Sequence, residues 1–413
     1  MSELLQNIGL WLILAWPLLV ALPGVYRHLP RPYALALAPA AVMLITPGAA
    51  ELDMPWIVFG SGLMLDGERR WLLGMTLLLW LAAGRRAARL DPPRQPATFT
   101  LLLITFSGQL GMILASEPVG FLCFSTLLGY GFFGLLVQGG GADALRVARL
   151  YIAVLILADL LLFEALLLAA YLQEVPRFDD FDFRLPGDSA GLYGALVLIA
   201  FLLKAGIWPL HAWVTGALRT APSPARLLLA GGPVAMALLG LWRWLPPEQG
   251  LETAGQLCRV LGAAALGYAL AQLLWRPQPG RRSGWLLPAL TGTLVLGFGQ
   301  RLVDPAGSQG YIEWSAPLLV LTGLLPALLL WLQPAVSAAG LGNEPPWTWF
   351  GKLQPPLGRL HRKLLRGLER LRRCGFAAAI TGLALPDLER RIARWPWVIT
   401  ALALLGLVLG LLA

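Results

Sequence analysis

Residues 191–232 read GLYGALVLIAFLLKAGIWPLHAWVTGALRTAPSPARLLLAGG. The first half is apolar over the roughly 20 residues that a membrane-crossing helix needs. Lys204 nevertheless stands inside it, about 14 residues from the start of the span and so about 21 Å along a helix axis. An ionised side chain at the bilayer centre costs about 2.5–3.5 kcal/mol even on the lenient insertion scale. Snorkelling to an interface is the ordinary alternative, and the depth argues against it. Only three of the 32 basic residues are Lys (Lys204, Lys352, Lys363), so an intramembrane Lys is not drawn from a common pool.

Pro209 adds a second anomaly. It cannot donate to the carbonyl of Ala205, and its ring crowds that carbonyl, so the helix is expected to kink or break. Backbone freed in this way is tolerated at membrane depth only where protein or water satisfies it. Burial disfavours a charged amine and an approaching carboxylate favours it, so a Lys beside an interrupted helix is suited to carrying a proton. His211, two residues after the Pro, either relays that proton or caps the broken end. Both readings stand on the residues alone.

The rest of the chain extends this membrane reading. Of 413 residues, 57% are hydrophobic and 13% charged, whereas a soluble domain needs about 25% charged residues for its surface. Apolar runs at about 8–26, 33–48, 71–84, 98–115, 119–137, 150–172, 190–213, 223–245, 254–275, 284–303, 314–334 and 395–413 give an all-α polytopic membrane protein. It has about twelve transmembrane helices, a broken seventh helix and a C-terminal amphipathic helix. The start, MSELLQN, is acidic and carries no cleavable signal pattern.

Alternate connections carry the basic residues: Arg27 and Arg31, then Arg85, Arg86, Arg89 and Arg94, then Arg146 and Arg149, then Arg219, then Arg276, Arg281 and Arg282. The intervening ones carry Glu51, Asp53, Asp66, Glu117, Glu174, Asp179 and their like. This is the positive-inside signature, which places both termini on the non-cytoplasmic side of a bacterial inner membrane. The net charge of +9 therefore sets topology and is not read as a nucleic-acid surface.

Residues 345–394 differ from the spans. Leu357, Leu360, Leu364, Leu368 and Leu371 form one stripe amid a crowd of Arg, which reads as a basic amphipathic segment on anionic lipid headgroups or as a strut along a partner. The organisation is then 1–97 N-terminal helices, 98–245 core helices with the Lys204 site, 246–335 second-half helices, 345–394 the interfacial segment and 395–413 a final span.

Counter-charges for Lys204 come from the sixth span, YIAVLILADLLLFEALLLAAY (151–171), which holds Asp159 and Glu164. Five residues apart, they lie about 140° apart around the helix, so one of them faces Lys204, and Asp159 is preferred as the deeper. The plainer alternative is that Asp159 bonds a neighbouring helix and only stabilises packing. Glu117, Arg226, Gln300 and Arg301 fall at span edges. The three Cys fit no metal spacing. GGG (139–141) and GG (231–232) follow no strand and read as a turn or close helix packing. No phosphate loop, nucleophile elbow or metal cluster is legible, so neither cofactor nor covalent chemistry is assigned.

LLKAGIWPLHAWVTGALRTAPSPARLLLAGG (202–232) resembles the seventh and eighth helices of antiporter-like subunits: the proton-translocating membrane subunits of complex I, their membrane-bound hydrogenase relatives and the large Mrp-type cation/proton antiporter subunits. Lys204, Pro209, Leu210, His211, Trp213, Ala221, Pro222, Ser223 and Pro224 match the family pattern in order and spacing. LMLDG with Asp66, residues 110–136 and residues 345–371 resemble further parts of the family, so the likeness touches most of the chain. The sequence also departs from the pattern. The family's fifth-helix Glu, partner of the seventh-helix Lys, corresponds to Thr126, and its eighth-helix Lys maps near Val234. RRSG (281–284) replaces a basic–Tyr–Ser run, the later His and Lys have no counterpart, and the chain is shorter than the usual relatives.

The resemblance implies a proton-translocating subunit of a larger membrane complex, with Lys204 as carrier, Pro209 and His211 as access route and Asp159 or Glu164 as modulating carboxylate. Its partners would be the other subunits of a membrane complex, a cytoplasmic catalytic subunit being one candidate, and membrane lipids. Two alternatives are the membrane half of a proton-driven inorganic-carbon accumulator and a degenerate docking subunit that moves no ions.

Overall fold

The computed structural model describes residues 3–26, 28–54, 61–90, 95–172, 177–178, 189–245, 251–275, 285–304 and 319–326. The expected segments 345–394 and 395–413 lie outside them.

The described chain is mostly helical. α1 (Glu3–Ala21) is followed by three short helices, α2 (Pro23–Tyr26), α3 (Pro32–Leu35) and α4 (Ala38–Ile45), then by strands β1 (Ala50–Met54) and β2 (Ser61–Leu65). Next come α5 (Gly67–Ala87), α6 (Gln95–Leu114), α7 (Pro118–Val137), α8 (Gly141–Leu172), α9 (Ser189–Ala205), α10 (Ala212–Thr220) and α11 (Ser223–Leu229). A π-helical turn, Ala230–Val234, joins α11 to α12 (Ala235–Trp244), and α13 (Glu252–Trp275) and α14 (Leu286–Val303) complete the order; residues 319–326 are also helical. Among the described residues six helices are long and apolar enough to cross a membrane: 95–114, 118–137, 141–171, 223–244, 252–272 and 286–303.

Several elements differ from the sequence expectation. The run at 33–48 forms two short helices. α4 ends where the Arg70 guanidinium donates to the carbonyls of Met43 (2.9 Å), Leu44 (3.1 Å), Thr46 and Gly48, satisfying acceptors that a helix C-terminus leaves open. The acidic stretch behind it is an antiparallel hairpin in which Ala50 pairs with Leu65 and Met54 with Ser61. Strand alternation buries Ala50 and Met54 and turns Glu51 and Asp53 outward. α8 starts well before the expected span, so Arg146 and Arg149 lie on the helix. At 32 residues it is about 48 Å long, longer than the roughly 30 Å hydrocarbon core.

α7, α8 and α9 pack side by side, α12 packs on α9, and α11 on α5, which gathers the middle of the chain around the end of α9. α13 and α14 pair through glycine. A methyl added to Gly262 would lie 2.5 Å from the backbone N of Leu296, and one on Gly299 2.6 Å from the carbonyl of Gly255. In lipid, where apolar burial gives helices little reason to associate, such close backbone approach supplies the packing. Gly140 and Gly141 turn the chain between α7 and α8 with φ of 69° and 77°.

Candidate ion-transfer site

Lys204 occupies the last turn of α9 and is 8% exposed. Its Nζ lies 2.5 Å from Asp159 Oδ1 of α8 and donates at 2.5 Å to Ser125 Oγ of α7. Three helices thus meet at one ammonium, in an environment that strengthens every charge–charge and charge–dipole term. Glu164, the other candidate carboxylate, lies on the exposed face of α8, away from Lys204. Thr126 is also turned aside, its hydroxyl donating to the Cys123 carbonyl at 2.7 Å. The α7 side chain that reaches Lys204 is Ser125, one residue earlier.

The chain stops being helical immediately after Lys204. Gly206 adopts φ +62°, its N–H donates to the Leu203 carbonyl (3.1 Å), and the Ile207 N–H donates to Leu202 (3.2 Å). This pair of bonds is a Schellman C-cap, which requires the left-handed residue that glycine supplies. Termination therefore falls at Gly206, ahead of the expected proline. Pro209 sits in the turn before α10, and the Trp208–Pro209 peptide is cis. From α10 the Trp213 indole reaches back and donates to the Leu203 carbonyl at 3.2 Å, satisfying backbone at the interruption as burial in lipid demands.

His211 occupies the N-cap position of α10 but makes no side-chain cap bond. It is 3% exposed, with its ring against Tyr268 (5.3 Å between centroids) and Trp285 (5.6 Å). Beside Lys204, a cavity of about 20 Å³ is lined by Ser125, Tyr151, Trp213, Pro233, Met112 and Lys204 itself among others, enough for about one water; His211 is not among its lining residues.

Pro233 belongs to the π-helical turn, the kind of irregularity that often marks functional helices. A fully buried side chain, Gln109 of α6, holds this turn: its Nε2 donates to the Gly231 carbonyl (2.7 Å) and to Thr76 Oγ1 (2.9 Å), and its Oε1 accepts from Trp80 Nε1 (3.0 Å). Arg243, near the end of α12, donates to the carbonyls of Met112 and Ile113, both at 2.8 Å, and closes the C-terminus of α6. Neither Gln109 nor Arg243 was expected from sequence. A Gln in the middle of an apolar run was the available signal, since a buried amide requires partners.

At the hairpin end, Arg177 pairs with Glu51 and, at 3.1 Å, with Asp53, and these carboxylates hold its guanidinium above its ordinary value. Glu117, the N-cap residue of α7, is 7% exposed. Burial raises its carboxyl above the usual range, against the opposing pull of Arg177 and of the Ser116 hydroxyl.

Residues 121–271 match the family described as NADH:quinone oxidoreductase/Mrp antiporter, transmembrane. Hydrogenase-4 component B of Escherichia coli (strain K12) is 27% identical over 56% of this chain and 34% of its own length. NAD(P)H-quinone oxidoreductase chain 4 3 of Picosynechococcus is 27% identical over 48% of this chain and 37% of its own. The match thus spans only about a third of those relatives. A chain of the Mrp complex from Dietzia sp. DQ12-45-1b shares the fold with a TM-score of 0.64 at 20% identity, covering 79% of this chain and 64% of that one. A chain of the archaeal membrane-bound sulfane sulfur reductase gives 0.63 at 14% identity, covering 80% and 70%. By sequence match over residues 121–271 and by fold, the chain is similar to the antiporter-like membrane subunits of the complex I, Mrp and hydrogenase type.

Proposed function

We propose that this chain moves protons within a multi-subunit membrane complex and couples that movement to a partner's reaction, with Lys204 as the carrier. The observation that carries the reading is a buried ammonium held by Asp159 and Ser125 in the last turn of α9, beside a cavity of water size. Asp159 is the modulating carboxylate. When it moves away, the ammonium loses its strongest attraction and releases the proton; when it returns, it draws the next one in. His211 lies seven residues on, across the interruption, and serves as the relay to the α10 side. Glu164 has no part in this step.

In this reading α9 and α10 are the two halves of one broken transmembrane helix, and the whole chain has about twelve helices in the bacterial inner membrane with both termini non-cytoplasmic. Residues 98–245 form the ion-transfer unit, flanked by 1–97 and 246–335. The coupled chemistry resides on a cytoplasmic subunit of the complex.

Proton uptake by sealed vesicles tests the reading. Lys204→Ala is expected to reduce it to background while the complex still assembles on a native gel. Wild-type rates from a normally assembled Lys204→Ala complex would overturn it.

A further inference from the structure

α8 turns Ala158, Leu162, Ala165 and Ala169 toward the bundle. Its opposite face is open and apolar, with Leu160 61% and Tyr171 87% exposed. Glu164 lies one turn after Leu160 and two turns before Tyr171, so all three share that face, and the carboxylate is itself exposed. Among the described residues no cation and no hydrogen-bond donor reaches it.

Its depth makes this position costly. Glu164 is about 12 Å from the end of α8 at Leu172 and more than about 20 Å from Arg149, inside the roughly 30 Å hydrocarbon core. A carboxylate facing lipid chains there is unfavourable, and intramembrane ionisable groups almost always pair. The apolar spans 314–334 and 395–413 contain no Lys, Arg or His, so neither supplies a cation at that depth. A second copy of this chain apposed face to face through α8 would set Glu164 against Glu164, which is repulsive.

We propose that the outer face of α8 is the docking surface for a different membrane subunit, whose apposed helix carries a Lys, Arg or His at the depth of Glu164. The proposal rests on the reading of this chain as part of a multi-subunit complex and adds the face and the chemistry of the neighbour.

The test is photo-crosslinking in native membranes, with benzoylphenylalanine placed at Leu160 or Tyr171, and at Val260 of α13 as a control. The expected result is one discrete adduct from both α8 positions, to a membrane helix with a basic residue within one turn of the linked site. Glu164→Lys reduces that adduct at least tenfold and leaves the Val260 pattern unchanged, and replacing the partner's basic residue by Glu restores it. Lipid adducts alone, in a complex that keeps its companion subunits, would overturn the docking proposal only. Absence of any companion subunit would overturn the broader reading as well.

Discussion

Asp159 Oδ1 lies 2.5 Å from Lys204 Nζ, and both side chains are largely buried, at 15% and 7% exposure. Removing one partner of such a pair strands a charge, at a cost of about 3–5 kcal/mol, whereas replacing both by apolar groups is often nearly neutral. Asp159→Ala is therefore expected to destabilise the protein by about 3–5 kcal/mol, and Asp159→Leu with Lys204→Met to recover most of that loss. Thermal unfolding in detergent checks the stability, and vesicle uptake checks the function. Both variants are expected to transport at background: the single variant lacks the modulating carboxylate, and the double variant regains stability without the carrier.

The contact from Ser125 to Lys204 makes a prediction that separates adjacent residues. In an Asp159→Ala background, Ser125→Asp puts a carboxylate back against the ammonium and is expected to restore roughly half of the lost stability, about 2 kcal/mol. Thr126→Asp should restore nothing, because that side chain is turned toward the Cys123 carbonyl. Equal rescue by the two would show that α7 is rotated from the orientation described.

These two residues also show where sequence is informative. A Lys in an apolar span stands out because it is expensive, and Asp159 stands out for the same reason, so their energetic oddity is visible without coordinates. Ser125 costs little in a helix and carries no such signal; only the rotation of α7 against α9 distinguishes it from Thr126. Pro209 leads to the expectation of a break there, whereas α9 ends earlier, at Ala205. The cap belongs to Gly206, whose role depends on a backbone φ that no spacing reveals. The hairpin was hidden because its two strands are only five residues each and sit in an acidic connection. Arg70 and Arg243 counted as charges, yet their work as donors to distant helix ends depends on tertiary placement.

Gly206 gives the third prediction. Gly206→Ala imposes a left-handed conformation on an L-residue, at a cost of about 1–2 kcal/mol. The added methyl would also lie 2.3 Å from Val214 Cγ2, so α10 must shift. A loss of at least about 2 kcal/mol is expected by thermal unfolding. Pro209→Ala should leave α9 ending at Ala205, because the Schellman bonds do not involve residue 209. Amide hydrogen exchange at Gly206 and Ile207 checks this, with protection expected to persist.

Gln109 is the fourth. Gln109→Leu leaves the Gly231 carbonyl, the Thr76 hydroxyl and the Trp80 indole without their shared partner in a buried site. Each unsatisfied group costs about 1–3 kcal/mol, so a total above about 3 kcal/mol is expected, larger than for most single substitutions. Gln109→Glu keeps the acceptor for Trp80 but loses the donor to Gly231, and should fall between wild type and Gln109→Leu. A ranking with Gln109→Glu more stable than wild type would contradict the network.

Glu117 provides the pH dependence. Its carboxyl is raised by burial, so between its unfolded value, near 4.3, and its folded value the native state holds the extra proton. Stability then falls as pH rises through that window and is flat above it. Glu117→Gln removes the ionisation, so the pH slope in that window should be shallower and the variant more stable than wild type at neutral pH. Arg177→Ala acts in the opposite sense. Loss of the Arg177 charge raises Glu117 further and extends the sloping window upward, and it also unties Glu51 and Asp53. Melting temperatures from pH 4 to pH 8 for wild type, Glu117→Gln, Arg177→Ala and the double variant check both signs. If Arg177 acts through Glu117, the double variant should lose the extended slope and keep only the pH-independent cost of the broken Arg177 pairs.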